Sequence, residues 1–228
     1  MSNFYAGAYW GARRESDLEC AGRLSACLTA LAAVDPSFSG WYKKGATRTA
    51  ASKDPVDTSS REALTKLLAA GQNRRDIGNE VISELGFNVA LWNRADDPTA
   101  FRVTCGAYID NPAIKNAFSL QLPDLVERPG NLGMKSSAVA VVKLLVESWD
   151  PDWATWSSSD WRSTQKVDAV SPVFGLVTYV SRVSAERVSA AGFHAEPFHS
   201  GALFISNVEQ DRVAGEQLAA IQAAVRNA

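Results

Sequence analysis

The segment from Phe4 to Pro36 contains the pattern that most restricts how this chain can fold. Residues 4–11 intersperse aromatic rings with alanine and glycine, which is typical of a β-strand. The tetrad Ser16-Asp17-Leu18-Glu19 is a capping box, in which serine accepts from the glutamate amide and glutamate accepts from the serine amide. Apolar residues at spacings of three and four then predict an amphipathic helix that ends at Asp35-Pro36. A strand that leads directly into a capped helix favours a fold mixing both kinds of element.

Further along the chain, three runs in which apolar residues alternate with polar or small ones predict an antiparallel meander. They cover residues 87–92, 101–109 and 118–122, and Asp96-Asp97-Pro98 supplies a turn. Before them, residues 37–58 read as an irregular excursion. A second capping box over residues 59–62 predicts a short helix that stops near Gly71.

The second half of the chain repeats the order of helix before strands. A pair of serines, Ser136-Ser137, predicts the start of an apolar helix that Asp150-Pro151 stops. Strands are predicted over residues 175–180 and 201–207, with a connection or short strand over 192–197. Residues 213–225 carry one apolar face of a C-terminal helix.

This order predicts an α+β fold with a mainly antiparallel sheet and helices packed on one side. Because each half places a helix before its strands, the pattern hints at two pseudo-duplicated halves. We expect a single domain over residues 1–228, with a sub-domain boundary near residues 127–135.

Composition excludes several classes of protein. The net charge is −2 and the pI is near 5.8, so sequence-independent nucleic-acid binding is disfavoured. No signal peptide and no apolar run long enough to span a membrane is recognisable, which indicates a cytoplasmic protein. The three cysteines cannot all pair, and Cys20 and Cys27 are too far apart along one helix for a disulfide. We therefore expect buried free thiols in a reducing compartment.

No motif in the chain forms a coherent catalytic, metal or cofactor site. The two histidines, His194 and His199, lack the helical spacing and the third ligand of a zinc site. Cys105 lies within an apolar strand pattern and reads as a core thiol rather than a nucleophile. The segment from Gly130 to Lys135 lacks the ending of a phosphate-binding loop. Residues 74–80 read as a charged turn. We expect no cofactor, no metal and no enzymatic activity.

Two adjacent arginines, Arg13 and Arg14, precede the first predicted helix. Cations at this end oppose the helix dipole, so we expect one of them to have a carboxylate partner elsewhere in the chain.

The densest unusual feature is a group of four tryptophans with interleaved aspartates. Tryptophan is enriched at binding hot spots, and aspartates can steer a basic partner towards them. The alternative is that these rings cover the core where the helix ends. We expect a mixture, with Trp149 and Trp153 packed and with Trp156 and Trp161 partly exposed. The candidate partner-binding residues are Trp149, Asp150, Asp152, Trp153, Trp156, Asp160 and Trp161.

Several segments together resemble the immunity protein 52 family, whose members protect bacteria from polymorphic toxins. The resemblance runs in outline across nearly the whole chain, and its motifs are structural rather than catalytic. They are Tyr9-Trp10-Gly11-Ala12-Arg13, Glu15-Ser16, Glu19-Cys20-Ala21, Asp35-Pro36 with Trp41, Trp149-Asp150-Pro151, Gly175-Leu176-Val177-Thr178-Tyr179 and Gly201.

The resemblance implies a cytoplasmic antitoxin of a polymorphic-toxin or type VI secretion system, formed by a single immunity-type domain without catalysis of its own. It implies binding to a cognate toxin, which in this family is associated with a restriction-endonuclease-like nuclease class. No direct contact with nucleic acid or membrane is expected, and a homodimer is compatible with the pattern. The aspartates and tryptophans above would take the place of phosphates and bases in the DNA-binding groove of the toxin.

Two alternatives of other classes remain open at this stage. One is a peptide-binding adaptor with a groove lined by tryptophan. The other is a small enzyme, which would need a pocket joining Arg13, Glu15 and a histidine.

Overall fold

The computed structural model describes residues 3–43, 54–111, 116–127, 129–165, 171–186, 194–206 and 222. The chain divides into two compact units, one of residues Tyr9–Pro123 and one that combines Met1–Ala8 with Asp124–Ala228. We call them the middle unit and the terminal unit. Apart from residue 222, which is helical, the C-terminal helix predicted over residues 213–225 lies outside the described residues.

The described helices are α1 (Asp17–Val34), α2 (Arg61–Ala70), α3 (Lys135–Trp149) and α4 (Ser159–Thr164). The strands are β1 (Phe4–Trp10), β2 (Tyr42–Lys43), β3 (Phe87–Trp92), β4 (Ala100–Cys105), β5 (Asn116–Gln121), β6 (Trp153–Ser158), β7 (Val177–Ser181), β8 (His194–Phe198) and β9 (Gly201–Ile205). Each of the ladders β2–β3, β3–β4, β4–β5, β6–β7, β7–β9 and β8–β9 is antiparallel. The predicted α+β class with antiparallel sheet is confirmed.

The predicted capping box starts α1. The Glu19 amide donates to Ser16 Oγ at 3.2 Å, and the Ser16 amide donates to Glu19 Oε2 at 2.8 Å. The bond from the Ser16 amide is the main reason why the pKa of Glu19 lies below its ordinary value of 4.5. The helix ends where the Asp35 amide donates to the Leu31 carbonyl, as the Asp35-Pro36 pair predicted.

Two predicted helix starts are displaced. The capping residue of α2 is Ser60 and not Ser59, because Ser60 Oγ accepts from the Ala63 amide while Glu62 pairs with Lys66 on the next turn. Helix α3 begins before the predicted serine pair, at Lys135. Ser137 lies inside its first turn and donates its hydroxyl to the Asn131 carbonyl at 2.8 Å.

In the middle unit, β3, β4 and β5 follow one another in order, as the meander predicted. The short strand β2, within the residues predicted as an irregular excursion, pairs with β3. The buried side chain of Asn116, at the start of β5, joins two other segments of this unit. Its Nδ2 donates to the Gly11 carbonyl at 2.7 Å and to the Ala107 carbonyl at 2.9 Å, and its Oδ1 accepts from the Ala107 amide at 2.9 Å. One side-chain amide therefore bonds to three backbone groups, of which the Ala107 carbonyl also accepts from the Arg13 amide.

In the terminal unit, the strands follow the order β6, β7, β9 and β8. Strand β6 was not predicted. All six of its residues are buried, including its three polar side chains, Thr155, Ser157 and Ser158. Thr155 Oγ1 lies 3.2 Å from both the Val177 carbonyl and Thr178 Oγ1, which compensates the burial of its hydroxyl.

Candidate partner-binding surface

The tryptophans of the candidate surface lie mostly in the core of the terminal unit. Trp149 is fully buried at the end of α3, and Trp153 and Trp156 on β6 are 9% and 1% exposed. The packing of Trp149 and Trp153 agrees with expectation. The expected partial exposure of Trp156 is wrong, because β6 is covered on both faces and its register places Trp156 beside Val177.

Trp161 occupies an intermediate position on α4. Its ring is half-buried, and its Nε1 donates to the Phe174 carbonyl. The Trp161 amide also donates to Ser158 Oγ at 3.1 Å, which caps the short helix. Of the four tryptophans, only Trp161 has enough exposed surface to contact a partner without a rearrangement of the core.

The carboxylates of the candidate surface are exposed. Asp150 ends α3 in the left-handed conformation, with φ of 45°, and its amide donates to the Val146 carbonyl at 2.8 Å. Its side chain is 61% exposed, and Asp150 Oδ1 lies 3.7 Å from His199 Nδ1. Asp152 and Asp160 are exposed as well. The negative charge of this region therefore faces solvent, where it can act on an approaching partner.

The structure does not bring all three carboxylates into one cluster. Asp152 precedes β6, and Asp160 follows it. Six residues of extended strand at about 3.3 Å each separate the two by roughly 20 Å. We therefore distinguish an acidic corner, formed by Asp150 and Asp152, from a distal carboxylate, Asp160, which stands next to Trp161.

The carboxylate partner expected for the N-terminal arginines is found in the middle unit. Glu15 Oε1 lies 2.7 Å from Arg23 Nε, and Glu15 Oε2 lies 3.2 Å from Arg13 Nε. The partner of Arg13 is thus two residues away rather than elsewhere in the chain. The Arg13 guanidinium also lies 5.1 Å from the centre of the Trp10 ring. This arrangement accounts for an arginine next to the positive end of a helix dipole.

The cysteines behave as core residues in the part of the chain that the structure describes. Cys20, Cys27 and Cys105 are free and fully buried. The pKa of the Cys105 thiol lies far above its ordinary value. The larger cause is a hydrogen bond with Cys20, and the second cause is burial. A thiol held in its protonated form is a poor nucleophile.

The histidines of the terminal unit do not approach each other. His194 begins β8 and His199 follows its end, so about five residues of extended chain, roughly 15 Å, separate them. Among the described residues, no group of three or more histidine, cysteine, aspartate or glutamate side chains could hold a metal ion. Nor is any helix of the described segments long and apolar enough to cross a membrane.

An open cleft of about 290 Å³ lies in the middle unit between the chain near Pro55 and helix α2. Apolar residues such as Val56 and Leu67 line it together with Lys43 and Lys66. Both lysines are engaged, Lys43 with Asp54 at 3.1 Å and Lys66 with Glu62 at 2.7 Å. The residues that line this cleft do not include a tryptophan, so it is not the groove that the adaptor interpretation predicted.

Comparison with known proteins identifies the family. The model of the family described as immunity protein 52 matches residues 2–227. Among solved structures, the Pseudomonas aeruginosa T6SS protein PA0821 is similar with a TM-score of 0.51 and 8% identity, over 99% of this chain and 76% of that chain. At this identity the likeness shows a shared fold alone. None of the curated proteins compared with the chain matches it. Because the family model covers nearly the whole chain, the chain belongs to the immunity protein 52 family, as the motifs in its sequence predicted.

Proposed function

We propose that this chain neutralises a cognate toxin by binding it, and that the toxin is a nuclease of the restriction-endonuclease-like class. The observation that carries the proposal is the family match over residues 2–227. The structural relative is named as a T6SS protein, and we propose that a secretion system of that kind delivers the toxin. The chain acts as a binding protein, in the cytoplasm and without a reaction of its own.

The exposed carboxylates supply the chemistry of recognition. A nuclease presents a basic groove to DNA, and carboxylates can occupy the positions of the phosphates. Asp150 and Asp152 form one such group at the end of α3, and Asp160 beside Trp161 forms the other. Because β6 separates the groups by roughly 20 Å, they match phosphates several nucleotides apart rather than adjacent ones.

The buried tryptophans act indirectly. Trp149 ends α3 and Trp153 begins β6, so these two buried rings flank the turn that carries the acidic corner and hold its backbone in place. We assign partner contact to Trp161 alone among the four rings, and a positioning role to Trp149, Trp153 and Trp156.

Protection requires tight binding, because a few free toxin molecules can kill a cell. A sub-nanomolar dissociation constant corresponds to about 12 kcal/mol or more. A standard interface of roughly 1,600 Å² supplies this where its central contacts are well packed.

Co-expression tests the function. The partner is the C-terminal domain of the protein encoded by the neighbouring open reading frame. We expect that domain to be toxic alone, to be tolerated with this chain and to co-purify with it. Toxicity that this chain does not relieve would contradict the immunity role. Relief of a toxin that leaves cellular DNA intact would contradict only the nuclease assignment.

Charge removal tests the surface. We expect the pair Asp150→Asn and Asp152→Asn to slow association with the toxin domain several-fold at low salt and to flatten the salt dependence of the association rate. Asparagine tolerates the left-handed conformation of residue 150, so the backbone is retained.

A matched control removes the same charge elsewhere. The pair Asp54→Asn and Glu62→Gln takes two exposed carboxylates from the middle unit. If both double variants associate at the same rate as the wild type, the acidic corner is not part of the interface.

A further inference from the structure

A short hairpin over residues 73–82 lies in the middle unit, and its turn carries one exposed isoleucine. The Ile82 amide donates to the Asn73 carbonyl at 2.8 Å, and the Arg75 amide donates to the Glu80 carbonyl at 2.9 Å. Arg74 Nη1 donates to the Asn79 carbonyl at 3.0 Å. These bonds close the hairpin from its base to its turn.

The turn presents one large apolar side chain to solvent. Ile77 is 91% exposed, more than any other large hydrophobic residue that the structure describes. The two residues after it, Gly78 and Asn79, have φ of 83° and 55°. Glycine and asparagine are the residues that adopt this left-handed conformation at least cost, so the turn is encoded locally.

The base of the hairpin is fixed to the sheet. The Asn88 amide donates to the Gly71 carbonyl at 2.9 Å, and Gln72 forms a β-bridge with Phe87. A side chain at position 71 would approach the Asn88 carbonyl oxygen within 1.9 Å, so only glycine permits this contact. A hairpin fixed at its base and closed by its own bonds holds Ile77 in position before any partner arrives.

The proposed interface needs an apolar contact of this kind. Exposed carboxylates mainly accelerate association and select the partner, whereas fully desolvated anchors supply most of the affinity. Of the four candidate tryptophans, Trp149, Trp153 and Trp156 are buried in the core, and Trp161 is only half-buried. A fully exposed apolar residue can supply an anchor in addition to Trp161.

The charges near Ile77 indicate the class of partner. Arg74 and Arg75 are balanced by Asp76 and Glu80, and Arg75 Nε lies 3.8 Å from Glu80 Oε2. A balanced hairpin has no excess of positive charge for phosphates, so nucleic acid and anionic lipid are disfavoured. A protein with a small apolar pocket fits a single isoleucine surrounded by ions of both signs.

We propose that the 73–82 hairpin is a toxin-binding element, and that Ile77 inserts into an apolar pocket of the toxin domain. This inference rests on the proposed function, since it takes the cognate toxin as the occupant. The contact is separate from the acidic corner and contributes mainly to the lifetime of the complex.

Substitution of Ile77 tests the proposal. The measurement is the dissociation constant between the full chain and a catalytically inactive form of the neighbouring toxin domain. Burial of one isoleucine corresponds to about a 10- to 100-fold change, so we expect Ile77→Ala to weaken binding by that factor, and Ile77→Asp to weaken it further. The loss appears mainly in the dissociation rate.

The matched control is Val126→Asp, because Val126 is an apolar turn residue that is 68% exposed in the terminal unit. Both variants should unfold at the same urea concentration as the wild type. Wild-type affinity for Ile77→Asp, or an equal loss for Val126→Asp, would overturn the inference and leave the proposed function intact. If the wild-type chain itself fails to bind the toxin domain, the proposed function fails first. Self-association that Ile77→Asp abolishes, with toxin binding unchanged, would assign the hairpin to a second copy of this chain and also overturn the inference.

Discussion

Glu15 Oε1 lies 2.7 Å from Arg23 Nε, which ties the chain just before α1 to the second turn of that helix. The carboxylate is 7% exposed, and its other oxygen faces Arg13 at 3.2 Å. A buried carboxylate is stable only when cations or hydrogen bonds compensate its lost hydration, and here two guanidinium groups do so.

Replacement of this carboxylate should destabilise the middle unit. We expect Glu15→Gln to lower the free energy of unfolding by about 1–2 kcal/mol, less than for a fully buried pair because both arginines reach solvent. Urea unfolding measures the change. Glu62→Gln is the control, since its pair with Lys66 is exposed on both sides and should contribute nothing measurable. Equal effects of the two substitutions would contradict the structural role of Glu15.

The capping box predicts a pH dependence. The pKa of Glu19 is lowered below 4.5, chiefly by the bond from the Ser16 amide. Its contribution to stability is therefore present above the pKa of the unfolded chain and is lost as the pH falls through the lower folded pKa. We expect Glu19→Gln to be less stable than the wild type at about pH 6, and the difference to shrink as the pH falls below the ordinary glutamate pKa of 4.5. A difference that grows with acidity would have the wrong sign.

Substitution by alanine should destabilise the protein more at Trp156 than at Trp161. We expect Trp156→Ala to cost about 3–5 kcal/mol of stability, because it leaves a large cavity in a sealed core. Trp161→Ala should cost less, since its ring is half-buried. Denaturant unfolding of both variants checks this order. Because Trp156→Ala threatens folding, its effect on toxin binding reports on the core rather than on the interface.

The thiols should be inaccessible in the folded protein. All three cysteines are fully buried, and the pKa of Cys105 is raised by its hydrogen bond with Cys20 and by burial. We expect slow reaction with a thiol reagent in native buffer and reaction of all three after unfolding in guanidinium. Val126→Cys supplies the control, because an exposed thiol at that position should react at once. Rapid labelling of the wild type would show that the core opens readily.

Features that depend on local hydrogen bonds were predictable from sequence. The cap of α1 needs only Ser16 and Glu19, three residues apart, and both its start and its end were predicted. The meander was predicted because its strands have one face that differs from the other in polarity. The start of α3 was displaced because Ser137 bonds to Asn131 instead of capping the helix.

Strand β6 was missed because its sequence lacks the signal on which strand prediction relies. Apolar and polar residues alternate along a strand when one face of the sheet is exposed to solvent, whereas β6 is buried on both faces. Its serine and threonine residues gave no strand signal, although Thr155 is satisfied inside the sheet. The omission also concealed the separation of Asp152 from Asp160, since only an extended strand places them so far apart.

The hairpin that carries Ile77 was predicted as a charged turn, which its outer residues confirm. Gly78 and Asn79 favour the turn locally, but they do not show that the isoleucine before them faces solvent. The placement of the hairpin depends on the contact of Gly71 with Asn88, which joins segments brought together by the tertiary fold.

The packing around Asn116 depends on a single nitrogen atom of its side chain. Its amide must donate to the carbonyls of Gly11 and Ala107 while its oxygen accepts from Ala107. Aspartate at this position would keep the shape and the accepting oxygen but would replace the donor by a charged oxygen facing two carbonyls. Exchange of this one nitrogen for oxygen would therefore turn two attractive contacts, with Gly11 and Ala107, into repulsive ones.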